Sequence, residues 1–276
     1  VAPLSRDPVW VVRAAVAAAV GIATGTPPQF ALPRPPWMAP PPEPWPGGRE
    51  AGVAILLPLL GDEEAIVRAE AARRLCALGE RGILQRFVEA LASPDEAQWR
   101  EALEILIDPS IQGVEALPAI LARLARTEGA DRRPFLQALG HLRDPRGAEV
   151  LAKDMREAGA VRLEEGTLAE YAALMLSNLR EAAIPPLRAA LAPSEDRELR
   201  RRAARAATFM PLPAAGDLLL ELATRIGEDP TLREIAIRAA PRVAGPRAAG
   251  PLKRALYAEP DPGIRDHLNC ALHDFF

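Results

Sequence analysis

Cysteine, histidine, lysine and aromatic residues are all scarce in this chain of 276 residues. The two cysteines, Cys76 and Cys270, are too far apart in sequence to form a disulfide framework, and reduced thiols buried in helices are expected for both. Three histidines, His141, His267 and His273, leave little from which to assemble acid–base or metal chemistry. The Gly-x-Ser-x-Gly, His-Glu-x-x-His, Walker and dinucleotide-glycine patterns do not occur. Lysine is found only at Lys153 and Lys253, so arginine carries nearly all the positive charge, and a formal net charge of -3 argues against a general attraction to nucleic acid. Only 4% of residues are aromatic while 49% are apolar, which predicts helices packed closely through alanine and leucine. No apolar run reaches the ~18 residues of a membrane span. The longest, Val9 to Ala23, reads as a helix that carries Arg13; an export signal is the alternative, and a cytoplasmic location is expected. The first residue is Val1, which fits a processed, truncated or GTG-started reading frame.

What the chain does have is repetition. Val12-Arg13, Val67-Arg68, Trp99-Arg100, Leu199-Arg200, Leu232-Arg233 and Ile264-Arg265 each open an Ala- and Leu-rich run, with a period of about 32 residues. Weaker copies stand at Arg132-Arg133 and Leu168-Ala169, the latter without the arginine, and the segment Gly159 to Gly166 is longer than its counterparts. Each unit reads as two helices. In the second helix of one unit, Asp62 is a candidate N-cap, Ile66, Val67, Ala71, Leu75 and Leu78 recur on one face, and Gly79 is a candidate left-handed terminator. Ser93-Pro94-Asp95 stops one helix and caps the next. First helices are predicted over 51–60, 81–92, 114–126, 146–158, 181–192, 214–226 and 247–258. Second helices are predicted over 8–22, 64–78, 96–107, 132–142, 166–179, 197–209, 231–243 and 262–274. No segment sustains an alternation of period two, so no sheet is expected.

In Asp7/Arg13, Asp62/Arg68, Asp229/Arg233 and Asp261/Arg265, and in the Ala-rich runs behind them, the chain resembles the HEAT-repeat family in its bacterial, PBS-lyase HEAT-like form. The resemblance implies an all-α fold, a right-handed α-solenoid of about seven helical hairpins. It also implies that the motif Asp and Arg form ladders between repeats, and that second helices line the inner face. The expected organisation is an N-terminal half-repeat helix over 1–23, a Pro-rich insertion over 24–50 and a repeat array over 51–276. The first copy has no preceding partner helix, so either the array begins with a half unit or the chain is a piece of something longer.

The insertion carries Phe30, Trp37, Met38 and Trp45 among dense prolines that favour polyproline II. It is expected to lie along the solenoid, to move freely, or to dock a partner through Trp37 and Trp45. A second candidate is the basic run after Leu199. Arg197, Arg201 and Arg205 recur every four residues, beside Arg202, with Arg238 and Arg242 on the next equivalent helix. Stacked, these rows make a positive patch suited to phosphate or to an acidic protein surface. The alternative is a solvated face paired with Glu195, Glu198 and Glu234. Glu101, Glu104, Glu164, Glu165 and Glu170 make a complementary acidic region. The only metal-like spacing, His267, Cys270 and His273 beside Asp266 and Asp274, spreads its side chains over too wide an arc; Cys270 is placed with Ile264, Leu268 and Ala271 on the apolar stripe, and neither metal nor cofactor is expected. The reading is a non-enzymatic scaffold that binds another protein through the inner helix face. The alternatives are a nucleic-acid binder of the HEAT-like DNA glycosylase kind and, as the family label implies, a pigment lyase or lyase chaperone.

Overall fold

The computed structural model describes residues 2–23, 48–273 and 275. Trp37 and Trp45, the Pro-rich stretch through residue 47, and Asp274 lie outside the described residues. The protein is all-α. It divides into two compact units, 1–126 and 127–276. The first holds α1 (Trp10–Ala23), α2 (Gly48–Leu59), α3 (Ala65–Ala77), α4 (Leu84–Ala90), α5 (Glu96–Leu106) and α6 (Leu117–Leu124). The second holds α7 (Arg133–Leu142), α8 (Ala148–Glu157), α9 (Leu168–Ser177), α10 (Ile184–Ala190), α11 (Arg197–Thr208), α12 (Pro213–Thr224), α13 (Pro230–Ala244), α14 (Ala249–Ala258) and α15 (Pro262–His273). Among the described residues no helix is long and apolar enough to cross a membrane.

Within each unit the expected hairpins form. In the first, α2 packs on α3 and α4 on α5, while α1 packs on both α2 and α3. In the second, α8 pairs with α9, α10 with α11, α12 with α13 and α14 with α15. Second helices stack on second helices, α7 on α9, then α11, α13 and α15. Proline marks several first helices at their opening turn, where its missing N–H is no loss: Pro118 in α6 and Pro185-Pro186 in α10. Asp95, Asp196 and Asp229 cap α5, α11 and α13 by accepting backbone N–H groups of the first turn. Gly79 takes φ +88° past the end of α3, as a left-handed terminator requires. Small residues bring helices close: a β-carbon on Gly216 of α12 would lie 2.8 Å from the Ala244 β-carbon of α13.

The structure corrects the sequence reading in several places. Asp62 is not the cap of α3; the cap position is Glu64, and the Asp62 carboxylate accepts the Glu64 N–H at 3.0 Å while serving Arg13. Ile66 is 51% exposed, whereas Val67, Ala71 and Leu75 are buried, because Ile66 points one step away from the buried stripe. A two-stranded antiparallel hairpin does occur, β1 (Arg162–Leu163) and β2 (Gly166–Thr167). Two residues per strand are too few to leave an alternation to read; Glu164 and Glu165 make the turn, and Gly166 opens β2 at φ +125°. Cys76 is buried, and burial pushes its thiol up to about 11, but Cys270 is exposed. Ile264, Leu268 and Ala271 form the buried stripe of α15, and Cys270 falls on its other side.

An arginine ladder is present in part: among the described residues Arg100 pairs only with Glu96 on its own helix, whereas other repeat arginines reach across. Arg13 donates from Nε and Nη2 to Asp62 at 2.6 and 2.9 Å, and from Nη1 to the Asp7 carbonyl at 2.7 Å. Arg68 pairs with Glu101, and Arg132 forks onto Asp154 at 2.9–3.0 Å. In the second unit Arg200 pairs with Glu228 and donates to the Leu191 carbonyl at 3.4 Å. Arg233 pairs with Glu259 and donates to the Ala223 carbonyl at 3.2 Å. The acids are mostly not the motif aspartates. Asp229 caps its helix, and the neighbouring Glu228 takes the arginine. The hydrogen bond from Arg233 holds Glu259 below the usual carboxylate range despite its burial. Burial pushes Glu228 up, but the Arg200 hydrogen bond and the Asp229 N–H overcome it, and its net shift is downward. At Asp154 burial wins over Arg132 and the shift is upward.

Two outcomes follow from the Arg233–Glu259 pair, whose side chains are 3% and 2% exposed. Arg233→Ala leaves a buried carboxylate alone and is expected to cost about 3–5 kcal/mol in urea unfolding, far more than removing an exposed pair. Glu228 and Glu259 have folded values below an unfolded value of about 4.3, so their contribution is present above that pH and is lost as pH falls through the folded values. Thermal midpoints measured from pH 7 downward should drop steeply below about pH 4, and Glu259→Gln should show a lower plateau with a shallower drop.

Candidate functional site

A groove of about 620 Å³ opens on the second-helix face of the C-terminal unit. It is built from α7, α9, α11 and α13, with β1, β2 and their turn at one edge: Leu163, Glu165 and Thr167 contribute to its wall. Its floor is apolar, formed by Ala173, Ala206, Ala239 and Ile235. Leu174 and Phe209 stand out of that floor, 38% and 60% exposed. Alternate helical positions explain this. Leu199 and Ala203 turn α11 toward the core, and Phe209, four and seven residues after Arg205 and Arg202, shares their groove face.

Five arginines and two glutamates line the groove: Arg133, Arg202, Arg205, Arg238 and Arg242 against Glu165 and Glu170. Arg202 donates from Nη1 to the Met155 carbonyl at 2.8 Å. Arg242 donates from Nη2 to the Thr208 carbonyl at 2.8 Å. Both carbonyls end helices, α8 and α11, where the last turn leaves acceptors unsatisfied. Such an anchor orients a guanidinium while offsetting only part of its charge. Among the described residues neither arginine has a carboxylate within ion-pair distance. Arg205 approaches Glu170 no closer than 3.7 Å, and Arg238 pairs with Glu234 at 2.9 Å on its own helix; both side chains are more than half exposed. Arg133 lies over the Tyr171 ring at 5.1 Å, a cation–π contact. Burial raises the Tyr171 hydroxyl above its usual value against the opposing effect of Arg133.

Glu170 is largely committed elsewhere. With Thr167 it forms a capping box at the start of α9, its Oε2 accepting the Thr167 N–H at 3.0 Å and the Thr167 hydroxyl at 3.1 Å. Its Oε1 faces Arg201 and Arg205 at 3.5 and 3.7 Å. Burial pushes Glu170 up, but the Thr167 bonds and the two arginines outweigh it and hold the carboxyl below its usual value.

Of the arginines singled out in the sequence, Arg202, Arg205, Arg238 and Arg242 come together in the groove. Arg197 and Arg201 do not line it. Arg197 pairs with Asp229 at 2.8 Å, and Arg201 with Glu198 at 2.7 Å. Glu198 and Glu234 thus pair with the arginine rows, while Glu195 pairs with Arg156. Among the acidic residues, Glu165 and Glu170 join the groove, and Glu101 instead holds Arg68 in the other unit. His267 stands 3.9 Å from Glu234. Among the described residues no group of three or more His, Cys, Asp or Glu is arranged to hold a metal. Sequence reasoning missed Phe209, Leu174, Tyr171 and Arg133. Phe209 carried the one available signal, a large aromatic just past an apolar stripe.

Residues 184–272 match the profile of a family described as HEAT repeats. HEAT repeats are therefore present over α10 to α15, as the resemblance in sequence implied. No curated protein matches the chain. Similar solved structures include human deoxyhypusine hydroxylase in complex with glycerol, at 19% identity over 82% of this chain and 96% of that one, with a TM-score of 0.36. Another is the complex of CpcE and CpcF of phycocyanin lyase from Nostoc sp. PCC7120, at 18% identity over 91% and 99%, with a TM-score of 0.40. A third is an engineered protein at 20% identity over 99% and 94%, with a TM-score of 0.24.

Phe209 is expected to serve the surface and not the core. Phe209→Ser should change urea-unfolding stability by no more than about 0.5 kcal/mol, whereas Leu219→Ala, at a fully buried position, should cost about 2–5 kcal/mol.

Proposed function

We propose that the C-terminal unit is a protein-binding module, that its groove receives a segment of another protein, and that the chain works as a scaffold. The observation that supports this reading is the exposure of Phe209 and Leu174 beside arginines that carbonyls hold in place. An apolar centre ringed by arginine and tyrosine is the composition in which interface energy concentrates. A solvated helix face needs no phenylalanine exposed beside a second exposed apolar side chain, as Phe209 is beside Leu174. HEAT repeats over 184–272 agree with such a role, since stacked second helices offer a continuous surface.

Nucleic acid suits this groove less well. Phosphate recognition is carried by uninterrupted positive charge, and Glu165 and Glu170 stand among the arginines. The pigment-lyase reading comes with the family resemblance and draws no support from the groove residues.

A photo-crosslinking amino acid placed at position 209 tests the reading in cells of the source organism, with position 257 as reference. Tyr257 is 79% exposed and lies outside the groove. Adducts from 209, absent from 257, that survive nuclease and yield to protease are the expected result. Adducts removed by nuclease, or none from 209, would overturn it.

A further inference from the structure

The groove's charge and the spacing of its arginines say more about what it holds. This step rests on the protein-binding reading above. On α11 and α13, Arg205 and Arg238 occupy equivalent places 33 residues apart, as do Phe209 and Arg242. The two helices are stacked directly, and the Arg242 side chain reaches from α13 to the Thr208 carbonyl at the end of α11. Packed helix axes stand about 8–10 Å apart. The backbone positions of Arg205 and Arg238 are therefore repeated across the groove at about that interval, and each side chain is more than half exposed. Their present partners are weak competitors. Glu170 is held by its capping box and meets Arg205 at 3.7 Å; the Arg238–Glu234 pair is an exposed contact within one helix, of the kind that contributes little.

A polypeptide in polyproline II form advances about 3.1 Å per residue with three residues per turn, so every third side chain returns to the same face about 9 Å further on. That interval matches the helix spacing. We infer that the groove binds an extended, acidic segment of a partner protein whose carboxylates, three residues apart, meet Arg205 and Arg238 while a bulky apolar side chain beside them packs on Phe209 and Leu174. The orientation of such a segment runs across the stacked helices, not along one of them. Arg202 and Arg242, fixed by carbonyls and without a carboxylate in ion-pair distance among the described residues, supply the remaining positive field. Charge complementarity selects the acidic ligand. Five arginines against two glutamates leave the groove positive in a chain whose formal net charge is -3. An apolar segment without acids leaves that field unused, and a basic one is repelled.

Fluorescence anisotropy on the full chain tests this with four labelled probes. One is a short peptide with aspartate at every third position and leucine between. The second replaces each aspartate by asparagine, the third clusters the same aspartates at one end, and the fourth is a single-stranded oligonucleotide. The spaced acidic peptide is expected to bind tightest, with the asparagine and clustered peptides at least about tenfold weaker, a difference of about 1.4 kcal/mol. The double variant Arg205→Glu, Arg238→Glu should lose the spaced peptide by more than tenfold while its thermal midpoint stays close to that of the parent, since both side chains are exposed. Arg188→Glu, on the exposed side of α10, should bind as the parent does. Equal binding of the asparagine or clustered peptide, unchanged binding by the double variant, or tighter binding of the oligonucleotide would overturn the inference. Crosslinks from position 209 together with no preference for the spaced acidic peptide would remove this inference and leave the protein-binding reading standing. Loss of the crosslinks would remove both.

Discussion

A guanidinium buried at the joint between consecutive hairpins sets the spacing of the C-terminal unit. Arg200 and Arg233 make the same two-sided tie. Each donates from Nε to a carbonyl at the end of its own hairpin's first helix, Leu191 or Ala223, and from Nη2 to a carboxylate in the loop before the next second helix, Glu228 or Glu259. The fork is planar and its donors are fixed in direction. A slip of one residue on either side would leave a charge or a carbonyl buried without its partner. Such a pair adds modestly to net stability, because both ions lose water on folding, yet breaking it costs much more than forming it gains. Its contribution is to register. In the N-terminal unit Arg13 and Arg68 make a variant of this tie, taking carbonyls from the loop ahead of their own helices, Asp7, Asp62 and Glu63, in place of the previous helix end.

The arginines of the C-terminal unit therefore divide by what holds them. Those at the joints are neutralised by buried carboxylates. Those of the groove are held by helix-terminal carbonyls, by the Tyr171 ring or by part-exposed acids, Glu170 at 3.7 Å from Arg205 and Glu234 at 2.9 Å from Arg238. The first kind fixes backbone, and the second keeps positive charge aimed at a surface. Both occur on α11: Arg200 faces inward, and Arg202 and Arg205 face the groove. One helix can do both because its buried stripe is made of alanine, which leaves room for a long side chain to pass toward the joint and needs no further apolar residues on the opposite face.

This division also explains what the sequence disclosed and what it withheld. The helix boundaries were legible nearly to the residue, because Asp, Pro and Gly punctuate each unit and the alanine stripe is regular. The existence of the ladder was legible from the recurring arginine. Its acceptors were not: the motif aspartates suggest themselves, but Asp229 spends Oδ1 on the N–H groups of Thr231 and Leu232 and Oδ2 on Arg197, and the adjacent glutamate takes Arg200. The arginine patch was legible as a cluster and not as a site, since pairing within a helix, as in Arg201–Glu198 and Arg238–Glu234, can be read from spacing, whereas Arg197 and Arg205 meet Asp229 and Glu170 from other helices. Cys270 and Ile66 show the limit of assigning faces by eye. One position off the stripe turns a side chain from core to solvent. The β1–β2 hairpin was invisible because a strand of two residues has no period.

The repeat that departs from the pattern is the one that makes the groove. Ala169, fully buried, stands where Arg200 and Arg233 stand in the following hairpins. Without that arginine, α9 is fixed at its start by the Thr167–Glu170 capping box and by the short hairpin ahead of it. The extra length of Gly159 to Gly166 has a second effect. It carries the chain past Arg202 with glycine at the point of contact: a β-carbon on Gly159 would sit 2.8 Å from Arg202 Nη2. The bare backbone lets the guanidinium lie against it and reach the Met155 carbonyl. A regular repeat would have offered a joint arginine and a cap in these places, and would have spent its polar groups on register. By losing the arginine and lengthening the loop, the chain turns a joint into the edge of a groove, and the positive charge retained there depends on the repeat that fails to conform.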